Sequence, residues 1–327
     1  MPLEVETIEY RAYHQGDEPA ILQLMRESGY PHDERFWRWI NRECPHGQAI
    51  VELAILNDEV IGHYSVLPRL LSFRGIMVKA GLAIHAVVHP EHRGLAVLQH
   101  LMERILERCR QMGLPFIYAF PNEQIWLVYL KIFQWQPMGD LTALELSLES
   151  PISRRDPQGI EFREGKRFER RHGELSAGGG LEPHVRVAKD SEYLNWRYVS
   201  HPRAHYQLLE AHIKPQGLLG FLVLKLYEKQ GRRYGHLIDM GLDPSAPAGL
   251  FRELVYQALL SFQARQVQVA SCWIQEGTPL FDTLQEMGFQ ATGSTTPLGF
   301  RPIGPNRWTE GLRWDRWHIM MGDSDAF

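Results

Sequence analysis

Between an apolar strand and an amphipathic helix the chain reads HPEHRGLAVLQHL, with the turn Arg93-Gly94-Leu95-Ala96-Val97-Leu98 where the helix opens. A helix start carries unpaired N–H groups and partial positive charge, so such a turn offers an anion, a phosphate above all, a backbone site. Arg93 can add a charge-assisted contact. On the strand before the turn stands His85, with His89 at its end. Imidazole titrates near neutrality, which suits the removal of a proton. Four residues apart on a strand, the two share a face opposite Ala86 and Val88. Downstream, Asn122 is of a type that caps a helix start, and Tyr129 follows seven residues later.

These residues fall inside an internal repeat. FWRWINRECPHG at 36–47 aligns with YLNWRYVSHPRA at 193–204, setting Phe36 on Tyr193, Trp39 on Trp196 and Pro45 on Pro202. Each copy continues as a hairpin, turning at Asn57-Asp58 or at Pro215-Gln216-Gly217. AGLAIHAVVHP (80–90) then aligns with YGHLIDMGLDP (234–244) without a gap, so Asp239 stands opposite His85. An amphipathic helix follows in both: Val97, Leu98, Leu101, Met102, Ile105 and Cys109 keep helical spacing, as do Leu250, Phe251, Leu254, Val255, Ala258 and Phe262. PFIYAF or VQVASCW reads as a further strand, and another helix closes each copy. Between the copies, RRDPQGIEFREGKRFERRHGELSAGGG mixes charges and ends in glycines, which is linker composition. Trp39 and Trp196 read as helix-packing aromatics, and Asp239 as a strand-edge carboxylate facing solvent.

The order of hairpin, strand, phosphate-type turn, helix, strand, Asn and helix with Tyr resembles the GCN5-related N-acetyltransferase (GNAT) superfamily over about residues 7–150. VVHPEHRGLAVLQHLM is similar to that family's acetyl-CoA signature, and the spacing of Asn122 and Tyr129 to its second landmark. Two positions depart from the pattern: Ala96 and Leu98 stand where small residues, mostly glycine, are usual. Ala adds only a methyl, and Leu98 fits if it faces the core.

The resemblance implies a mixed α/β (α+β) protein of two tandem GNAT-like domains, each a mixed, mostly antiparallel sheet flanked by helices. The N-terminal, CoA-binding domain is expected at 1–150, a linker at 151–182 and a degenerate domain at 183–327. The implied reaction is transfer of acetyl from acetyl-CoA to an amine of a small molecule, with no metal. Tyr129 would protonate the leaving thiolate and His85 would serve as base. CoA would lie on Arg93, Gly94, Leu95, Ala96, Val97 and Leu98, with its pantetheine beside Ala86, Val87 and Val88 and near Asn122. Pro247 stands in the second copy's turn, where a proline cannot donate N–H, and Leu284 stands where a tyrosine is expected, so that half is expected to bind no CoA. Transfer of a longer acyl or an aminoacyl group, and a non-catalytic CoA-binding protein, are the competing readings.

Composition agrees with a globular protein: 327 residues, 44% hydrophobic and 23% charged, with a net charge of −4 that gives no footprint for nucleic acid. The N-terminus lacks the apolar core of a signal peptide, and no apolar run suffices to span a membrane, so a cytoplasmic protein without a membrane partner is expected. A homodimer is left open. The three cysteines lie far apart in no metal-binding spacing and read as small buried residues.

Overall fold

A computed structural model describes residues 7–73, 75–152, 159–178, 185–304, 308 and 312–326, the side chain of Leu95 aside. The chain divides into two compact units, one of Met1–Leu70, Val78–Met138 and Leu298–Leu312, the other of Leu71–Met77, Gly139–Pro297 and Arg313–Phe327.

The first unit is built from β1 (Glu9–Ala12), α1 (Glu18–Glu27), α2 (Glu34–Arg42), β2 (Ile50–Leu56), β3 (Glu59–Phe73), β4 (Ile76–Val88), α3 (Leu95–Gln111), β5 (Phe116–Ala119) and α4 (Glu123–Lys131). Asn57 and Asp58, at φ 51° and 66°, make the two-residue turn that joins β2 to β3 with matching twist. Asp33 caps α2 by accepting from Phe36 N at 2.8 Å. In α3 the residues Val97, Leu101, Met102, Ile105 and Cys109 are buried in one core with Ile61, Val66 and Ile117. Leu98 packs against the edge of the same core, so the bulk that departs from the signature is absorbed there. The strands run in the order β1-β2-β3-β4-β5. β4 and β5 are parallel neighbours in it, paired at Gly81↔Ile117 and Leu82↔Tyr118, beyond which β4 continues to Val88.

The second unit repeats this plan with β6 (Gln136–Ser147), β7 (Ile160–Gly165), α5 (Arg170–Gly178), β8 (Val185–Val187), α6 (Ser191–Leu194), β9 (Tyr206–Ile213), β10 (Gly217–Lys229), β11 (Arg232–Leu242), α7 (Leu250–Ala264), β12 (Val269–Ile274), α8 (Pro279–Glu286) and β13 (Gln290–Pro302). Its sheet runs β7-β9-β10-β11-β12-β6. As in the first unit, a parallel pair is short: β11 meets β12 through Tyr234–His236 and Val269–Ser271. Asp190 caps α6 by accepting from Tyr193 N at 2.8 Å, repeating the cap of Asp33.

The expected linker is in part regular structure. Residues 159–178 hold β7, which pairs antiparallel with β9, and α5, whose His172 and Leu175 are buried. Charged residues suit β7 because it is an edge strand with exposed faces. The rest of that segment, 153–158 and 179–184, lies outside the described residues, as do residues 1–6. The two halves of the sequence also exchange strands. Residues 299–302 of β13 pair with β5 in the first unit, and residues 142–147 of β6 pair with β12 in the second.

Asp239 does not face solvent. It is 1% exposed, with Lys189 Nζ 2.8 Å from both carboxylate oxygens and Tyr198 donating to it at 2.5 Å. Lys189 also lies 2.8 Å from the buried Asp323. Burial alone would lower the Lys189 pKa, but the two carboxylates outweigh it and hold the ammonium charged. The reason is that β11 runs through the core here, so a charge on it must be paired inside.

Two stability measurements follow. Lys189→Met leaves two carboxylates buried without their cation and is expected to destabilise the protein by about 3–5 kcal/mol in urea unfolding. A loss below about 1 kcal/mol would show that the carboxylates are relieved some other way. In the first unit, burial draws His63 down to about 4. An unfolded histidine titrates near 6.5, so below that pH the unfolded chain takes up a proton that the folded chain refuses. This contribution is fully present above pH ~6.5 and is lost toward pH ~4, by at most about 1.4 kcal/mol per pH unit. The urea midpoint should therefore fall between pH 7 and 5, and less steeply in His63→Phe. Parallel slopes in the two proteins would refute the assignment.

Candidate active site

The turn that opens α3 is shaped by its backbone. Pro90–His92 form a 3-10 turn, and His89 holds it by accepting from Glu91 N at 3.3 Å, with its other ring nitrogen 3.5 Å from Glu27. His89 is thus committed to the loop rather than free beside His85. Gly94 stands at the N-cap position in extended conformation, φ −167°, so its value is not a left-handed turn. A Cβ there would meet nothing within 4 Å, and no side chain caps the helix. The first-turn N–H groups of α3 therefore have no capping side chain, and the exposed Arg93 and Ala96 stand beside them. Val97 is buried and cannot meet a ligand except through its backbone.

Ala86, Val87 and Val88 lie on the part of β4 that has left β5. Ala86 and Val88 pack toward the core that holds α3 and Tyr129. His85 lies on the opposite side of the strand from them, among rings of the α1–α2 region, and its φ of 50° is a left-handed conformation in mid-strand. The carbonyl of His85 accepts from His63 Nδ1 at 2.9 Å, and that of Ile84 accepts from Ser65 Oγ at 3.3 Å. The His85 ring lies 4.7 Å from His32 and 6.4 Å from Phe36, both from the α1–α2 region. Burial first, and then the neighbouring His32 and His63, hold its pKa well below the ordinary value. Its ring is neutral at physiological pH, and Nδ1 has no hydrogen-bond partner among the described residues.

Asn122 caps α4, its Oδ1 accepting from Ile125 N at 3.1 Å. Tyr129, two turns on, is 4% exposed and stacks on Trp135 with ring centroids 4.5 Å apart. Its hydroxyl lies 3.0 Å from that of Tyr64, a fully buried residue of β3. Tyr64 was not singled out by the sequence, nor were His63 and Ser65. The signal was present in HYS at 63–65, three consecutive polar residues in a mostly apolar strand, but their partners sit on other elements.

In the second unit the matching residues differ. A cavity of about 440 Å³ lies at the start of α7, lined by Leu242, Pro244, Pro247, Leu250, Phe251 and Pro279 among others. Its charged groups are engaged, Asp243 by Arg171 and Arg252 by Glu286. Leu284 is buried in the core, and Trp39 and Trp196 are buried at 3% and 6% exposure.

Residues 9–137 match the family model of the acetyltransferase (GNAT) domain. No curated protein sequence matches the chain. Among solved structures, the fold is similar to a probable N-acyltransferase of unknown function from Enterococcus faecalis V583, with TM-score 0.68 and 11% identity over 91% of this chain and 72% of that one. It is similar to a tandem GNAT protein of the clavulanic acid biosynthesis pathway, with TM-score 0.66 and 14% identity over 92% and 100% of the two chains. Saccharomyces cerevisiae N-myristoyltransferase with bound myristoyl-CoA matches with TM-score 0.61 and 12% identity, over 92% of this chain and 80% of that one. Residues 9–137 thus match an acetyltransferase (GNAT) domain, and along most of its length the chain has the fold of a tandem GNAT protein.

Proposed function

We propose that this protein is an acyl-CoA-dependent N-acyltransferase whose site lies in the first unit, and that it moves acetyl from acetyl-CoA to the amine of a small molecule. The observation that carries this reading is the parting of β4 from β5 after Leu82 and Tyr118, directly before an uncapped helix start. A diphosphate at the first turn of α3, with Arg93 beside it, leaves the pantetheine amides to pair with the free edge of β4 at Ala86–Val88. Tyr129 belongs to the core on the α3 side of the sheet, whereas His85 sits among rings of the α1–α2 side. A thioester threaded between the strands meets one from each side.

In this reading the amine nitrogen attacks the thioester carbonyl, and His85 takes its proton as the N–C bond forms. A neutral, weakly basic imidazole suffices at that moment, because bond formation makes the nitrogen acidic. The C–S bond then breaks, and Tyr129 gives its phenolic proton to the departing thiolate. The Tyr64 hydroxyl, 3.0 Å away, donates to the phenolate that remains. The second unit, with Pro247 in its turn and Leu284 in place of the tyrosine, would bind no CoA and serve the first structurally.

Calorimetric titration with acetyl-CoA should give one site per chain, and a stoichiometry of two would refute the confinement to the first unit. Ala96→Ile should weaken that binding at least tenfold, and Ala248→Ile should leave it unchanged. Release of free thiol with a panel of amines tests transfer itself, and repeating it with longer acyl-CoA donors reads the chain length accepted. Tyr129→Phe should lower kcat by about 10²–10⁴-fold while CoA affinity holds. An unchanged kcat with a lowered melting temperature would make Tyr129 a packing residue, since stranding a buried hydroxyl costs about 1–3 kcal/mol.

A further inference from the structure

A non-glycine residue at positive φ inside a strand is a strained arrangement that costs on the order of 1–3 kcal/mol and persists only where its surroundings impose it. His85 is such a residue, at φ 50° within β4. What imposes it is visible on β3. His63 and Ser65, two residues apart and therefore on one face, donate to the carbonyls of His85 and Ile84 at 2.9 and 3.3 Å. Both donors are fully buried. A carbonyl partner requires the proton on His63 Nδ1, which leaves Nε2 as the bare nitrogen, and Nε2 has no hydrogen-bond partner among the described residues. His63 is thus held in one tautomer by one bond, and that bond is to the bulge.

The consequence lies on the other side of the two peptide planes. In a trans peptide the C=O and the following N–H point in opposite directions. With the carbonyls of Ile84 and His85 drawn to β3 side chains, the N–H groups of His85 and Ala86 are turned away from them, two successive donors on a stretch that β5 has left. Successive N–H groups aimed one way form a concavity for negative charge, the arrangement that stabilises an oxyanion.

We propose that His63 and Ser65 are positioning residues for acyl transfer, a two-point clamp on the carbonyls of β4 that fixes where the His85 imidazole and the N–H groups of His85 and Ala86 face the reacting thioester. The inference rests on the transferase reading of the same site. Neither residue touches substrate; both act through the backbone of β4. The clamp contributes more to the chemical step than to CoA affinity, because the diphosphate is held by α3, away from the bulge.

The test compares His63→Phe, His63→Gln and Ser65→Ala with the wild type, reading kcat for amine acetylation, the calorimetric Kd of acetyl-CoA and the backbone amide resonance of Ala86 in the free protein. Removing the donor in His63→Phe should lower kcat by about 10–100-fold, the scale of a misplaced reacting group, with Kd held within about threefold. His63→Gln keeps an N–H donor and should recover part of the rate and the wild-type Ala86 resonance. Ser65→Ala should lose about 3–10-fold in kcat, and as the smaller change it carries the test if His63→Phe does not fold. Wild-type kcat in His63→Phe or in Ser65→Ala overturns the clamp, as does an equal loss in the Gln and Phe variants. Wild-type protein that binds no acetyl-CoA overturns the transferase reading, and the two failures are told apart because the Ala86 resonance is read without cofactor.

Discussion

When β4 leaves β5 after Leu82, the backbone of a strand that runs on to Val88 loses one side of its ladder. Buried backbone groups cannot stay unpaired without a cost comparable to a lost hydrogen bond, so each must be bonded or kept free for a ligand. The first unit does both. Two carbonyls are captured by His63 and Ser65, and the strand bends at His85 as a result. The α3 start, immediately downstream, likewise keeps its N–H groups without a capping side chain. The proposed cofactor path follows the departing strand and the uncapped helix start.

The second unit faces the same divergence between β11 and β12 and resolves it with its own chain. The turn Met321–Asp323 packs against β11, with Met320 and Met321 in the core beside Leu237, Ile238 and Met240. Gly322 passes so close that an added Cβ would lie 2.0 Å from the Tyr198 hydroxyl. Lys189 ties Asp323 to Asp239, and Arg197 donates to the carbonyls of Gly322 and Ser324 at 3.2 and 3.1 Å. Where the first unit has a neutral imidazole among aromatic rings, the matching position here is a carboxylate locked in a buried ion pair. Such a pair is rigid, because opening it would leave an uncompensated charge in a dry interior.

Strand exchange settles another edge. β5 is only Phe116–Ala119, and with β4 departing on one side its other side would stand as an open edge. Residues 299–302, some 180 positions later, take that place. Gly299 is needed there, since a Cβ would fall 2.5 Å from the Trp126 ring of α4. The helix that carries Tyr129 is thus backed by a strand from the far end of the sequence.

Much of this was legible in the sequence, because it is local. The two copies, the helix start at Asn122, the hairpin at Asn57-Asp58 and the apolar stripe of α3 each depend on residues within a few positions of one another. Periodicity and capping chemistry act at that range. The turn at Arg93–Leu98 and the place of Tyr129 on α4 were readable for the same reason. What the fold alone decided are the partners. The charged segment after 151 reads as a linker until β9 accepts part of it as an edge strand, and Asp239 reads as exposed until Lys189, 50 residues earlier, meets it inside. His63 and His85 are 22 residues apart, and Tyr64 and Tyr129 are 65. Which side chain reaches which carbonyl depends on strand register and on where two strands part, and these are set by the packing of whole sheets, not by any one segment of the chain.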